Sequence, residues 1–169
     1  MKRLLPILSL IVLAGAGCFA PSFEGTAYEN AEYGFAFNYP SDMEVRTRPD
    51  DVRETQYLGL DVDFFATLRD TVKEAKPLNI AAFYAVPGLT DDAFAAALTG
   101  SGAGIAVTSR ESEKRGGIRM TKVVSTTESG EEKAHYLFDR DGKTIIVSVF
   151  LTQGEAFSPI LETFRAYRP

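Results

Sequence analysis

Histidine and cysteine, two residue types common in catalytic and metal sites, each occur once in this chain. His135 is the only histidine among the 169 residues, and Cys18 is the only cysteine. Zinc and iron sites are built mainly from these two residue types, so a metal site here would consist mostly of carboxylates. A Ser-His-Asp arrangement would depend on His135, and no serine lies in a Gly-x-Ser-x-Gly turn. The sequence therefore predicts no catalytic residue, no metal and no cofactor.

Two short motifs imitate ligand sites. Asp139-Arg140-Asp141-Gly142 has the composition of the opening of a calcium loop, but the glutamate that closes such a loop is missing and a strand pattern follows directly. Residues 100–104 are rich in glycine, but they follow a predicted helix and precede a predicted strand. Phosphate-binding loops run in the opposite order, from strand to helix. We therefore expect a hairpin at the first motif and a flexible turn at the second.

The only cysteine follows an export signal. Lys2 and Arg3 give a positive start, residues 4–13 are largely apolar, and residues 14–17 are small. The apolar run is shorter than the roughly 20 residues that a transmembrane helix needs. This arrangement resembles a bacterial lipoprotein signal, which predicts a signal peptide over residues 1–17 and lipidation at Cys18.

An ordinary secretory signal is the alternative. Lipoprotein signals commonly carry a branched apolar residue three positions before the cysteine, where this chain has Gly15. Cleavage near Ala16 or Ala20 would leave Cys18 without a role. A lone cysteine directly after such a segment has no other evident use, which favours lipidation.

The signal also predicts where the protein resides. Lipidation would anchor an extracytoplasmic protein to a membrane through its acyl chains. The residue after Cys18 is Phe19 and not an aspartate. By resemblance to known sorting signals, this favours the periplasmic side of the outer membrane in a cell with two membranes.

The remainder of the chain has the size and charge of one acidic domain. Residues 1–17 contain two of the 18 basic and none of the 23 acidic residues, which leaves a formal net charge of −7 on the rest. This charge disfavours nucleic acid as a partner, because phosphate binding needs a basic surface. Residues 18–26 are predicted to form a tether, and residues 27–169 are predicted to form a single domain.

Seven segments have the pattern of strands. They cover residues 34–40, 58–68, 78–86, 105–111, 118–127, 133–140 and 143–151. The segment 78–86 is apolar at both odd and even positions, which predicts a central strand with both faces covered. Residues 41–57 are polar and charged, and we expect a strand end followed by a solvated loop.

Two segments have the pattern of helices. The first follows Thr90 as its cap, carries acidic residues in its first turn and ends at Gly100. The second is expected near residues 155–167, with Phe157 and Phe164 on its apolar side. Strands joined mostly by hairpins, with one helix midway and one at the end, indicate an α+β domain built on an antiparallel sheet.

Asp141-Gly142 is the strongest hairpin signal in the chain. A two-residue loop here fixes the register of the flanking strands. The predicted pairs are Phe138 with Ile145, Tyr136 with Val147 and His135 with Ser148. His135 would then share a face with apolar neighbours and Ser148, and no carboxylate would be near enough to raise its basicity. We expect a packed strand residue and not a catalytic one.

Two segments resemble the ends of the PsbP-like domain. They are residues 33–42, with the sequence YGFAFNYPSD, and residues 159–164, with the sequence PILETF. The resemblance covers residues 27–167 and implies an α-β-α sandwich around a mainly antiparallel sheet. It also implies roles in binding or assembly at membranes, with no shared catalytic residues. Met43 stands where the family commonly has a tryptophan, and methionine can fill the same apolar gap.

The sequence thus favours a lipid-anchored, non-enzymatic envelope protein that binds a protein partner or assists assembly of a membrane complex. A carrier or sensor of a small apolar ligand is the alternative, and an unrecognised hydrolase ranks third. A protein binder should expose an apolar patch, a carrier should have an apolar pocket of several hundred Å3, and an enzyme should gather polar groups around His135. The sequence does not indicate the binding residues, because its aromatic residues mostly alternate as core residues do.

We expect Cys18→Ser to release the protein from membranes into the soluble extracytoplasmic fraction. The tether, residues 18–26, has no basic amphipathic surface that would hold the chain at a lipid surface. Cell fractionation followed by immunoblotting measures this, with the unaltered protein as control. Persistent membrane association of the substituted protein would place the anchor elsewhere.

Overall fold

The computed structural model describes residues 25–47, 56–71 and 78–168. The predicted signal peptide, Cys18 and most of the predicted tether lie outside these residues. Within the described ranges the chain forms twelve strands and two α-helices. The strands are β1 (Thr26–Asn30), β2 (Phe35–Tyr39), β3 (Met43–Thr47), β4 (Gln56–Tyr57), β5 (Leu60–Asp61), β6 (Phe64–Asp70), β7 (Leu78–Pro87), β8 (Ala106–Arg115), β9 (Ile118–Thr126), β10 (Glu132–Arg140), β11 (Lys143–Phe150) and β12 (Arg165–Ala166). The helices are α1 (Asp91–Gly100) and α2 (Gly154–Leu161).

A seven-stranded sheet organises the domain. Its strand order is β3-β6-β7-β11-β10-β9-β8, and every neighbouring pair is antiparallel. Strand β7 lies inside the sheet, and its residues contribute to a core on each face. The predicted central strand and the predicted α+β class are therefore confirmed.

The first core lies between this sheet and a second layer. That layer consists of helix α2 and a three-stranded sheet in the order β1-β2-β12. Phe37 stacks on Phe164 with ring centroids 4.8 Å apart and on Phe83 at 5.1 Å. All three rings are almost completely buried. The aromatic side chains of β2 thus tie the small sheet, the main sheet and the segment after α2 together.

The second core lies under helix α1 on the opposite face. The backbone N–H of Ala93 donates to Thr90 Oγ1 at 3.2 Å, which confirms the predicted cap. Phe94 and Leu98 of this helix are buried against the sheet. With a helix on each face of the sheet, the structure has the expected α-β-α layering.

The hairpin between β10 and β11 has the predicted register. Phe138 pairs with Ile145, Tyr136 with Val147 and His135 with Ser148. Asp141 and Gly142 have φ values of 48° and 79°, and positive φ at both loop positions is what a type I′ turn requires. The turn therefore fixes which side chains face each core.

The closing helix is shorter than predicted. Helix α2 ends at Leu161, and Arg165 pairs with Ala36 of β2 in place of continuing the helix. The backbone N–H of Asn38 donates to Thr163 Oγ1 at 2.8 Å, which holds the chain beside β2 after it leaves the helix. Phe164 consequently follows the helix and does not belong to its apolar stripe.

The turn at Gly116 also contacts the segment of the chain that follows α2. A Cβ atom at Gly116, where φ is +53°, would lie 2.1 Å from the carbonyl oxygen of Phe164. Arg115, just before this turn, forms ion pairs with Glu113 and with Glu162 after α2. Contacts between distant segments therefore decide where α2 stops.

The segment predicted as one strand over residues 58–68 is broken. Strands β4 and β5 form a small hairpin, with Leu58 and Gly59 at φ values of 56° and 75° in its turn. A new strand, β6, begins only at Phe64. Val62 lies in the second core and Phe64 in the first, so the predicted alternation over residues 58–68 did not hold across this break and did not reveal the turn.

Part of the polar region 41–57 forms a strand. Residues Met43–Thr47 pair with β6 as an edge strand of the main sheet. An edge strand tolerates charged side chains because one side of it faces solvent. Met43 is partly buried and packs against the first core, as the resemblance implied for this position.

We expect Phe164→Ala to lower the free energy of unfolding by about 3 to 5 kcal/mol, because it empties the centre of the first core. This is a large share of the roughly 5 to 15 kcal/mol typical of a domain. Urea denaturation measures the change. Phe150→Ala is the matched control, since that ring is 37% exposed and its loss should cost far less. Equal losses in the two variants would contradict the assignment of Phe164 to the core.

Candidate functional site

His135 lies in the middle of β10 on the face covered by α1. Only 1% of the residue is exposed to solvent. Its Nδ1 atom lies 2.8 Å from Ser148 Oγ on β11, and its Nε2 atom lies 2.9 Å from Ser125 Oγ on β9. Both ring nitrogens therefore have hydroxyl partners, and the ring links three adjacent strands.

The β4–β5 hairpin adds a fourth member to this network. Tyr57 Oη lies 3.0 Å from Ser148 Oγ and 3.4 Å from His135 Nδ1. The ring of Tyr57 stacks on Tyr84 with centroids 3.9 Å apart. Phe94 of α1 contacts the His135 ring edge-on at 5.2 Å. We call Tyr57, Ser148, His135 and Ser125 the histidine network.

Burial keeps the imidazole neutral. Burial, and secondarily the positive charge of Lys133, lower the pKa of His135 from 6.5 to about 3. Burial also raises the pKa of Tyr57, although the hydrogen bond with Ser148 opposes this. Among the described residues, no carboxylate hydrogen-bonds to the ring. The network consequently provides strong packing and directional bonds, but no group poised to exchange protons near neutral pH.

The two motifs that imitate ligand sites have structural roles. Asp139 Oδ1 lies 2.9 Å from Thr144 Oγ1 across the β10–β11 hairpin. The glycine-rich residues 100–104 lie between α1 and β8. In the described part of the chain, no group of three or more His, Cys, Asp or Glu side chains is placed to hold a metal ion. None of the helices in the described ranges is long and apolar enough to cross a membrane.

An open groove lies beside the histidine network, where α1 no longer covers the sheet. We call it the sheet groove; its volume is about 190 Å3. Its lining residues come from β4, β6, β7, β10 and β11, and they are Tyr57, Phe65, Thr67, Asn79, Ala81, Ala82, Tyr84, Lys133, Ser148, Val149 and Phe150. Phe65 stacks on Tyr84 at 5.2 Å, so Phe65, Tyr84 and Tyr57 form a continuous aromatic wall.

Three exposed apolar side chains lie near the sheet groove, and one of them, Phe150, lines it. In the described residues the exposed large apolar side chains are Leu78, Phe150 and Leu151, at 44%, 37% and 37% exposure. They lie at one end of the sheet, because the start of β7 runs beside the end of β11. Lys133 Nζ lies 4.3 Å from the centroid of the Phe150 ring. We call these three residues the apolar rim.

A second depression lies on the other side of Phe150. Its volume is about 250 Å3, and its lining includes Glu131, Glu132, Leu151 and Thr152. Phe150 lines both depressions and therefore forms the ridge between them. The charge changes sign across this ridge, from Lys133 on one side to the two glutamates on the other.

The structure brings some of the predicted residues together and adds others. His135 and Ser148 are neighbours, as the hairpin register predicted, whereas Cys18 lies outside the described residues. The sequence did not reveal the groove, because its aromatic residues have the same alternation as core residues. The one available signal was the apolar pair Phe150-Leu151 at the end of the predicted strand 143–151.

Comparison with solved structures identifies the architecture. The solution structure of cyanobacterial PsbP from Synechocystis sp. PCC 6803 matches with a TM-score of 0.56 and 12% identity, over 84% of this chain and 92% of that one. The crystal structure of LpqN, involved in cell envelope biogenesis of Mycobacterium tuberculosis, matches with a TM-score of 0.44 and 15% identity, over 82% of this chain and 88% of that one. No protein-family model matches the sequence, and no curated protein matches it significantly. The chain has a PsbP-like fold, as the resemblance of its two ends implied.

The burial of His135 predicts a pH dependence of stability. Its pKa is about 3 in the folded chain and near 6.5 when unfolded, so the unfolded chain takes up the proton first as pH falls. The stabilisation from the neutral ring is present above pH 6.5 and is lost progressively toward pH 3. The slope is about 1.4 kcal/mol per pH unit, and the total is roughly 4 to 5 kcal/mol.

Urea denaturation of the unaltered protein and of His135→Gln between pH 7 and pH 4 isolates this contribution. The glutamine variant should be less stable at pH 7, because it cannot reproduce both serine contacts, yet its stability should fall less steeply with pH. Carboxylates titrate in both proteins and cancel in the difference. Parallel stability curves would show that the folded protein does not suppress protonation of His135.

Proposed function

We propose that this protein is a lipid-anchored, non-enzymatic envelope protein that binds another protein through the sheet groove and the apolar rim. The observation that carries this proposal is the exposure of Leu78, Phe150 and Leu151 at the same end of the sheet. Large apolar and aromatic side chains beside a shallow pocket, with polar residues around them, are typical of protein-binding surfaces.

The size of the groove favours a protein partner over a small apolar ligand. Sites for drug-sized ligands enclose roughly 300 to 1,000 Å3. The sheet groove has about 190 Å3 and is open to solvent on one side. It is large enough for one side chain of a partner and too small to enclose most cargo molecules. This supports a binding module more than a carrier or sensor.

The histidine network argues against a hydrolase. A catalytic histidine must exchange a proton near its working pH, and it usually depends on an acid to orient its ring. His135 has a pKa of about 3 and serine partners at both nitrogens. Its place beneath Tyr57 and Phe94 supports a structural role.

The predicted anchor would keep the binding surface close to a membrane. The tether, residues 18–26, reaches at most roughly 30 Å from the lipid surface. A partner within that distance would be an integral or peripheral protein of the same membrane. Such a location also suits a protein that assists assembly of a membrane complex.

Site-specific photo-crosslinking in intact cells tests the proposal. A photoreactive residue in place of Leu151 should give a discrete protein adduct, because this side chain is 37% exposed on the apolar rim. The same residue in place of Ser112, which is exposed on β8, is the matched control and should give no such adduct. Mass spectrometry of the adduct identifies the partner.

The adduct should also depend on the groove. Phe150→Ser should lower its yield several-fold, whereas His135→Gln should leave the yield unchanged in protein that remains folded. Circular dichroism establishes folding of each variant. Two outcomes would contradict binding through this surface. One is the same adduct from the photoreactive residue at Ser112. The other is an undiminished adduct at Leu151 in the Phe150→Ser variant.

A further inference from the structure

We infer that the partner presents an aromatic side chain to the sheet groove and a neighbouring carboxylate to Lys133. This inference rests on the proposed function and specifies the chemistry of the segment that the groove binds. Three features support it: the charge at the groove, the shape and composition of its wall, and the charge beyond Phe150.

Lys133 supplies the charge. Among the described residues, it is the only charged side chain that lines the sheet groove. Its ammonium group lies 4.3 Å from the centre of the Phe150 ring and forms no ion pair with any other described residue. A partner that covers the groove would remove water from this ammonium group, so a carboxylate placed beside it would be favoured and a second cation would be repelled.

The aromatic wall of the sheet groove favours an aromatic side chain of the partner. The volume of about 190 Å3 suits one large side chain and not a whole helix or strand. Phe65, Tyr84 and Tyr57 present neighbouring rings along this wall. Aromatic pairs gain from offset stacking and edge-to-face contacts in addition to apolar burial, so an aromatic side chain should bind better than an aliphatic one.

The glutamates beyond Phe150 set the direction of the bound segment. Glu131 and Glu132 are exposed and line the second depression, on the other side of the Phe150 ridge. A carboxylate placed there would meet two like charges. The acidic residue of the partner must therefore lie on the Lys133 side, and the segment that continues past Phe150 should be neutral or basic.

The same charges favour a protein segment over a lipid surface. One lysine flanked by two exposed glutamates, on a chain with a formal charge of −7 after residue 17, is a poor match for an anionic membrane. A single aromatic side chain with an adjacent carboxylate is a feature that a protein loop or terminus can present. Vesicles and a second copy of this chain are therefore alternative occupants that the experiment must exclude.

Titration with capped dipeptides tests the inference. The probes are acetyl-Asp-Phe-amide, acetyl-Lys-Phe-amide and acetyl-Asp-Ala-amide, added to the 15N-labelled mature chain, residues 18–169 with Cys18→Ser. Acetyl-Asp-Phe-amide should shift the amide resonances around Lys133, Tyr84 and Phe150. Acetyl-Asp-Ala-amide should bind about two- to tenfold more weakly, and acetyl-Lys-Phe-amide about two- to fivefold more weakly.

Two lysine variants make the test specific. Lys133→Gln should abolish the preference for acetyl-Asp-Phe-amide over acetyl-Lys-Phe-amide. Lys114→Gln is the matched control, because that lysine is exposed on β8, and it should leave the preference intact. Equal binding of all three dipeptides, shifts at another surface, or a preference that survives Lys133→Gln would overturn the inference.

Two further measurements exclude the other occupants. Sedimentation velocity should show a monomer whose state does not change with concentration; a dimer that forms at the expense of dipeptide binding would assign the groove to a second copy. Vesicles of phosphatidylglycerol and phosphatidylethanolamine should not shift the groove resonances; if they do, the site is a lipid contact. If no dipeptide binds but the Leu151 crosslink still forms, this inference alone is rejected. If the dipeptides bind but no Leu151 crosslink forms, the proposed function alone is rejected.

Discussion

Burial of both faces of the central strand β7 is the constraint on which the rest of the structure depends. Phe83 and Ala85 face the first core, and Val86 faces the second, so each side of the sheet needs its own cover. Helix α2 and the small sheet cover one face. In the part of the chain that the structure describes, α1 and the β4–β5 hairpin are the elements that cover the other face. A ten-residue helix is roughly 15 Å long, whereas seven strands span about 29 Å, so part of this face stays open. The sheet groove is that open part.

The histidine network lies at the boundary between the covered and the open areas. Ser125, His135 and Ser148 join β9, β10 and β11, and Tyr57 joins the β4–β5 hairpin to them. A polar cluster at such a boundary must satisfy its own hydrogen bonds, because a partly satisfied one would destabilise the fold. The ring of Tyr57 belongs to the aromatic wall while its hydroxyl belongs to the network. The network thereby links the β4–β5 hairpin to the main sheet.

The PsbP-like fold accounts for the architecture but does not by itself specify an activity, since one fold can support many functions. At 12% identity the cyanobacterial protein and this chain share the arrangement of elements. Function has therefore to be argued from the site. Here the relevant features are the apolar rim, the ammonium group of Lys133 in the groove and a histidine whose surroundings keep it neutral. These features support the proposed binding role.

The sequence by itself determined the features that depend on neighbouring residues. The cap at Thr90, the I′ turn at Asp141-Gly142 and the pairing of His135 with Ser148 follow from local chemistry and from the two-residue period of strands. The tertiary structure alone decided that α2 stops at Leu161 and that the groove exists. The first depends on the contact of Gly116 with Phe164, and the second on Tyr57 reaching Tyr84 from a separate hairpin. Such contacts join residues that are far apart in the chain. Neither the periodicity of the sequence nor its turn residues carry information about them. The same alternating pattern arises whether an aromatic face packs into a core or lines an open groove.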